Sequence, residues 1–249
     1  MATNDTHHSP ESEKNQGITR LVLLRHGQSI WNRDKVFTGW SDVTLSPKGK
    51  QEAEHAGELM REAGFSFDCC FSSTLQRASE TARIALAAMK LNELSIQYCW
   101  RLNERHYGAL EGMGRLAAVR KFGVWPVLRT QIRYDGEPPL LAMEDERFPG
   151  SQPSYAGIDK LELPRGESLK LTAQRLQPYW QQVIKPELAQ GKNVLIASHK
   201  NVLRALMGQL DHLTGRQVMK LKLATGRPLV YELDQTLAPV RHYYVDHMP

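Results

Sequence analysis

Cysteine is scarce in this chain of 249 residues, and the three present are Cys69, Cys70 and Cys99. An adjacent pair followed by a distant third has no metal-ligand spacing and makes a poor disulfide framework. This usage argues against a disulfide-stabilised secreted domain and against a zinc site. We therefore expect a protein of the reducing cytoplasm.

Long apolar runs and blocks of like charge are absent as well. The longest apolar runs are far too short to span a membrane, and residues 1–20 lack the apolar core of a signal peptide. Lysine and arginine total 32 against 27 acidic residues, a formal net charge of +5. No basic segment is interleaved with aromatic residues, so we expect neither a membrane nor a nucleic acid as a partner. A solvated, mildly basic surface explains most of this charge, which is compatible with a small anionic substrate.

The sequence does contain an alternation of strand-like and helix-like segments, which we assign to a single domain at residues 19–249. Residues 1–18 are polar and predict a mobile extension. The alternation predicts an α/β fold of three layers, in which a mostly parallel sheet carries helices on both faces. Strands are predicted at residues 20–24, 68–71, 193–197, 229–233 and 240–244, the last as an antiparallel edge.

Local signals predict where helices begin. Ser46 and Pro47 form an N-cap followed by proline at the first helical position, and Gly64 is a suitable stop. A second helix over residues 74–90 carries Arg77 near its start, where free N–H groups and the helix dipole favour an anion. A third follows at residues 202–210. Residues 111–165 break the alternation, and a long proline-containing excursion of this kind predicts a lid insertion rather than part of the sheet.

Histidine follows two of the predicted strands. Residues 23–29 read LLRHGQS and residues 195–199 read LIASH, which places His26 and His199 at strand ends. We expect the two imidazoles to meet at the edge of the sheet where open α/β sheets bind their ligands. An imidazole can act as a nucleophile, and the planar donors of Arg25 suit a phosphoryl group. One histidine at a strand end is more often structural, but this pair favours phosphohistidine chemistry.

The RHGQS segment resembles the motif of the histidine phosphatase superfamily, in which this histidine is phosphorylated during turnover. Three further segments resemble the branch of 2,3-bisphosphoglycerate-dependent phosphoglycerate mutases: FTGWSDV at 37–43, RLNERHYGAL at 101–110 and PLVYEL at 228–233. The resemblance covers almost the whole predicted domain, and the ten-residue block is its most specific part. It implies interconversion of 2- and 3-phosphoglycerate, with 2,3-bisphosphoglycerate as the phosphoryl primer and no metal.

The resemblance also implies roles for individual residues. His26 carries the phosphoryl group, His199 stabilises that group during transfer, and Glu104 moves the proton of the substrate hydroxyl. Arg25 and Arg77 neutralise the phosphoryl oxygens. Substrate contacts are expected from Ser29, Asn32, Thr38, Gly39, Tyr107, Arg115 and Asn201.

The sequence departs from this branch at the substrate end of the site. Lys200 stands where the family has glycine, and Gln131 and Ile132 stand where it has two arginines. Arg129 and Arg133 are near in sequence and are candidates to compensate for that pair.

These departures leave the physiological substrate and two alternatives open. The chain stops soon after residue 244, without the tail that many mutases carry over the site, and a shorter cover would admit water. The first alternative is therefore a phosphatase of small phosphorylated metabolites that uses the same histidine. The second is a weakly catalytic phosphometabolite-binding protein. A homo-oligomer is also left open.

Overall fold

The computed structural model describes residues 17–248, and in this range six strands form one sheet. They are β1 (Thr19–Arg25), β2 (Cys69–Ser72), β3 (Ile96–Tyr98), β4 (Val194–Ser198), β5 (Leu229–Leu233) and β6 (Pro239–Tyr244). Their order across the sheet is β3-β2-β4-β1-β5-β6. The first four in this order are parallel neighbours, whereas β5 is antiparallel to β1 and β6 is antiparallel to β5.

Helices cover both faces of this sheet. The helices of the described residues, including those that lie away from the sheet, are α1 (Ile30–Arg33), α2 (Pro47–Glu62), α3 (Gln76–Ala88), α4 (Arg115–Phe122), α5 (Val124–Ile132), α6 (Leu169–Tyr179), α7 (Lys185–Ala189), α8 (Lys200–Leu210) and α9 (Gly215–Val218). A π-helical turn, Trp180–Ile184, joins α6 to α7. Within the described residues, no helix is long and apolar enough to cross a membrane.

The two faces of β1 show how the layers form. Alternate side chains of a strand point to opposite faces, and Leu21 and Leu23 pack with apolar residues of α6, α7 and α8. Val22 and Leu24 pack with α2 and α3 on the other face. All four leucine and valine side chains are fully buried, so β1 contributes to both hydrophobic layers. The predicted three-layer α/β fold with a mostly parallel sheet is confirmed.

The predicted elements agree with the structure within about two residues, and the local signals act as expected. The Ser46 Oγ accepts a hydrogen bond from the N–H of Gly49 at 3.1 Å, and Gly64 has a φ of +72° just beyond α2. The antiparallel pairing of β6 is confirmed. The strand β5 is also antiparallel to its neighbour β1, which was not predicted. Nor was β3, which has only three residues and is mostly exposed.

Residues 111–165 lie outside the sheet. They include α4 and α5, whose Ala118 and Val127 form a small apolar cluster with Phe37 and Leu110. A second small cluster joins Trp40 to later residues of this segment. That the segment acts as a lid stays a prediction. The predicted polar extension lies, except for residues 17 and 18, outside the described residues.

Candidate active site

The two predicted histidines lie side by side at one edge of the sheet. His26 directly follows β1 and His199 directly follows β4, and these strands are parallel neighbours in which Arg25 pairs with Ser198. The N–H of His26 donates to the carbonyl of Ser198 at 2.9 Å. The imidazole centroids are 4.9 Å apart, with the ring planes inclined by 61°. The sheet register therefore brings the two rings together, as the sequence predicted.

The ring of His26 has one nitrogen held by the backbone and one that is free. Its Nδ1 lies 2.7 Å from the carbonyl oxygen of Gly27, which can only accept, so Nδ1 carries the proton. Its Nε2 has no hydrogen-bond partner among residues 17–248. Burial lowers the pKa of His26 well below 6.5, and the charges of Arg77 and Arg25 lower it further. The ring is therefore neutral, with a lone pair on Nε2.

His199 is fully buried beside this ring. Its Nε2 lies 2.7 Å from the Oγ of Ser73, and that oxygen also accepts the N–H of Leu75. Its Nδ1 is buried without a hydrogen-bond partner in the described chain. Burial lowers the pKa of His199 well below 6.5, with Arg77 next in effect. In the tautomer in which the Ser73 hydroxyl donates to Nε2, Nδ1 carries an N–H and is a donor for a bound group.

Two arginines place positive charge beside the imidazoles. Arg77 is the second residue of α3 and is 1% exposed, and it donates to the carbonyls of Ser41 at 3.0 Å and Gly39 at 2.7 Å. Arg25 donates to the carbonyl of Leu223 at 2.7 Å, while its buried Nε lacks a partner in the described chain. Neutral carbonyls accept from both guanidinium groups, and within residues 17–248 neither charge is cancelled by an ion pair. This environment favours an anion.

The carboxylate of Glu104 is held at one oxygen. Its Oε1 accepts the backbone N–H groups of Arg105 at 2.8 Å and Asn201 at 3.2 Å. Its Oε2 has no hydrogen-bond partner within residues 17–248. Because Glu104 lines the same cavity as His26, this second oxygen is available to a substrate. The arrangement suits proton transfer to or from a bound hydroxyl.

These groups surround a cavity of about 580 Å³. Nine of the predicted site residues line it: Arg25, His26, Asn32, Thr38, Gly39, Arg77, Glu104, Tyr107 and Arg115. Ser29 does not, because it is fully buried and its Oγ caps α1 by accepting the N–H of Asn32. Asn201 lies one layer away and donates to the Tyr107 hydroxyl at 3.1 Å. His199 lies behind this wall, against His26.

A model of the histidine phosphatase superfamily, branch 1, matches residues 21–145 and 142–244. The chain belongs to this superfamily. The 2,3-bisphosphoglycerate-dependent phosphoglycerate mutase 1 of Nitrosomonas europaea is 57% identical over 226 residues, which are 91% of this chain and 97% of that protein.

Solved structures of other proteins share the fold. A mycobacterial hydrolase has a TM-score of 0.68 at 21% identity, over 91% of this chain and 96% of that chain. The α-ribazole phosphatase of Shigella flexneri has a TM-score of 0.64 at 23% identity, over 89% of this chain and 94% of that chain. At such identities the likeness shows the fold alone.

We call the part of the catalytic cavity that is lined by Gln131 and Lys200 its outer end. Of the adjacent residues Gln131 and Ile132, only the first lines this cavity. Gln131, in the last turn of α5, lines the catalytic cavity. Ile132 is 53% exposed and lines a different cavity. Arg133 forms a surface ion pair with Asp135 at 3.0 Å, and neither it nor Arg129 lines the catalytic cavity.

Sequence reasoning missed one carboxylate that organises the site. Glu111 accepts the backbone N–H groups of Trp40, Ser41 and Tyr107 at 2.9 to 3.2 Å. A Cβ at Gly39 would lie 1.8 Å from its Oε1, so glycine is required there. Burial raises the pKa of Glu111 to about 7 despite these donors. The carboxylate thereby fixes the loop whose carbonyls accept hydrogen bonds from Arg77.

Ser73 was also missed, although a signal existed. It follows β2, the other parallel neighbour of β4, and so ends at the same edge as the histidines. A polar residue at that position was readable from the strand assignment. Among the described residues, no group of three or more His, Cys, Asp or Glu side chains is arranged to hold a metal ion.

Proposed function

We propose that the chain is a 2,3-bisphosphoglycerate-dependent phosphoglycerate mutase that interconverts 2- and 3-phosphoglycerate through a phosphohistidine at His26. The observation that carries this proposal is the free Nε2 of a neutral, buried imidazole that faces a cavity between two arginines. The similarity to the Nitrosomonas europaea mutase supports the choice of substrate. The substrate is accordingly a small phosphorylated hydroxy acid.

The proposed first half-reaction transfers a phosphoryl group to His26. The Nε2 lone pair attacks phosphorus, the bond from phosphorus to the leaving oxygen breaks, and Nδ1–H remains bonded to the carbonyl of Gly27. Arg25, Arg77 and the Nδ1 of His199 stabilise the charge on the phosphoryl oxygens. Positioning and charge neutralisation dominate such transfers, so no metal ion is needed in this scheme.

Glu104 is the proposed general acid and base. In the first half-reaction Glu104 carries a proton on Oε2 and gives it to the leaving oxygen, and in the second the resulting carboxylate removes the proton of the attacking hydroxyl. Thr38, Gly39, Asn32, Tyr107 and Arg115 line the space where the substrate carbon chain would lie. We propose that Ser29 acts through Asn32, and Asn201 through Tyr107, as positioning residues.

The primer fits the same residues. 2,3-Bisphosphoglycerate supplies the phosphoryl group that loads His26 before the first productive cycle. Arg25 Nε and His199 Nδ1 are buried polar atoms without partners in the described chain, which is the pattern expected where an anionic group completes the hydrogen bonding. A cytoplasmic location and a homo-oligomer stay predictions.

A phosphatase with the same phosphohistidine is the second candidate. The observation that favours it is the neutral Gln131 at the outer end of the cavity, because a weakly held acceptor competes poorly with water. Assay with 3-phosphoglycerate, with and without 2,3-bisphosphoglycerate, decides between the two. A mutase forms 2-phosphoglycerate much faster than inorganic phosphate and requires the primer, and the opposite ratio would identify a phosphatase.

A further inference from the structure

A second cavity adjoins the catalytic one. It has a volume of about 300 Å³ and shares five side chains with the catalytic cavity: Phe37, Tyr107, Arg115, Gln131 and Lys200. Arg105 and Arg204 line the second cavity only. A substrate bound at the imidazoles can therefore extend into a second, strongly basic space.

The two arginines that line only the second cavity already donate hydrogen bonds to backbone carbonyls. Arg105 donates to the carbonyls of Glu167, Thr130 and Gly136 at 2.6 to 2.9 Å. Arg204 donates through Nε and a terminal nitrogen to the carbonyl of Leu221. Because these two guanidinium groups donate to backbone carbonyls, they have few N–H donors left for a ligand.

Lys200 is different. It is the first residue of α8, directly after His199, and its side chain is only partly exposed. Within residues 17–248 its ammonium makes no hydrogen bond or ion pair. Burial lowers the pKa of Lys200, and the charge of Arg204 adds to this effect. A half-buried ammonium without a partner is destabilising, and an anionic ligand would relieve that cost.

We propose that Lys200 binds the second anionic group of the substrate, the carboxylate or phosphate that is not on His26, where the two cavities meet. Arg115 and Gln131 share this junction and complete the donor set. Lys200 is then a specificity residue that selects substrates with two anionic groups. This inference rests on the proposed function, since it names the residue that binds the second anionic group of the same substrate.

Ligand binding without turnover tests the proposal. Calorimetry on the unprimed protein compares 3-phosphoglycerate with glycerol 3-phosphate, which lacks the carboxylate. We expect the wild-type protein to bind 3-phosphoglycerate more tightly and Lys200→Met to reduce this advantage roughly tenfold or more, the effect of one charge-assisted contact. The Kd for glycerol 3-phosphate should change less than about twofold. Lys200→Arg, which keeps the charge, should restore part of the advantage.

Lys185→Met is the matched control, because Lys185 is also the first residue of a helix, is also partly exposed and lines neither cavity. It should leave both affinities unchanged. Equal weakening of both ligands by Lys200→Met would show a structural role and overturn the proposal, as would an undiminished or absent carboxylate advantage. Mutase turnover is measured separately. Its absence alongside the expected affinity change would refute the proposed function and leave the role of Lys200 standing.

Discussion

The inner and outer ends of the catalytic cavity are held in different ways. At the inner end, backbone groups fix the side chains: the Gly27 carbonyl orients His26, and two N–H groups orient Glu104. At the outer end, Gln131 and Lys200 contribute side chains that make no hydrogen bond within the described residues. Under the proposed function, the fold fixes the groups that carry out the chemistry at the inner end, and substrate choice at the outer end depends on side chains that can change without altering the fold.

The side chains at the inner end are also more buried than those at the outer end. His26, Arg77 and His199 are at most 3% exposed. Most polar atoms of these buried side chains are held by protein groups, and a substitution there leaves those groups without partners. Side chains at the outer end have solvent as an alternative partner. Substitutions at the inner end should consequently cost far more activity than substitutions at the outer end.

The largest effect is expected at the inner nucleophile. His26→Ala should abolish the acid-labile phosphoryl-enzyme formed with labelled 2,3-bisphosphoglycerate, because it removes the free Nε2 beside the arginines. His55→Ala is the control, since its imidazole is exposed on α2. Quench-flow labelling followed by acid treatment gives the readout. Undiminished labelling of His26→Ala would place the nucleophile elsewhere and break the comparison.

The next effect is expected at Glu104. Glu104→Gln keeps an oxygen that can accept from Arg105 and Asn201 but removes the proton-transferring group. Turnover should fall roughly 10²–10⁴-fold, the usual range for general acid–base catalysis. Equilibrium binding of inorganic phosphate should be preserved. Glu93→Gln, an exposed control, should have normal turnover. Turnover of Glu104→Gln within threefold of wild type would reject the role.

The sequence could predict where the strand ends meet, but it could not predict how individual side chains are oriented there. The edge that carries His26 and His199 was predictable, because apolar strand patterns and parallel order determine where strand ends meet. The tautomer of His26 was not, since it depends on which way the ring faces the Gly27 carbonyl. Glu111 also escaped sequence analysis. Its role arises from three N–H groups, two of which lie about 70 residues away along the chain.

The outer end was less predictable for a simple geometric reason. Gln131 and Ile132 are adjacent in α5, where successive side chains point about 100° apart around the helix. From the sequence, both residues were interpreted together as replacing the two arginines of the family, but only Gln131 lines the catalytic cavity. Sequence position alone does not specify the rotation of a helix about its axis when the segment lies outside the sheet.

A smaller effect concerns stability at low pH. Burial lowers the pKa values of His26, His106 and His199, that of His106 to about 3. Below pH 6.5 these three imidazoles therefore bind more protons in the unfolded chain than in the folded chain, which lowers the free energy of unfolding as the pH falls. The raised pKa of Glu111, about 7, acts in the opposite direction and offsets one of the three contributions. Each buried imidazole contributes a slope that approaches about 1.4 kcal/mol per pH unit until its folded pKa is reached.

His106→Gln should remove one of these contributions. Urea unfolding between pH 7 and pH 5 should show a mean slope smaller by about 1 kcal/mol per pH unit than in the wild-type protein, with the difference approaching about 1.4 kcal/mol per pH unit near pH 5. The slope is the readout because the lost contact with the Gly108 N–H also changes the absolute stability. His55→Gln, at an exposed position, should leave the slope unchanged. Equal slopes for His106→Gln and wild type would contradict a neutral buried ring.

The smallest effect separates the two residues of α5. Gln131→Arg adds a cation to the wall of the catalytic cavity, whereas Ile132→Arg adds the same charge on a side chain that lines a different cavity. A partly solvated charged contact contributes about 0.5–1.5 kcal/mol. Gln131→Arg should therefore lower the KM for 3-phosphoglycerate by about 2- to 10-fold and raise the ratio of 2-phosphoglycerate to free phosphate formed.

Ile132→Arg should change both quantities less than twofold, and the double variant should match Gln131→Arg. Similar gains from both single variants, lost together at high salt, would instead show long-range attraction of the anion to the surface, and the outer end would then select substrates by charge rather than by contact.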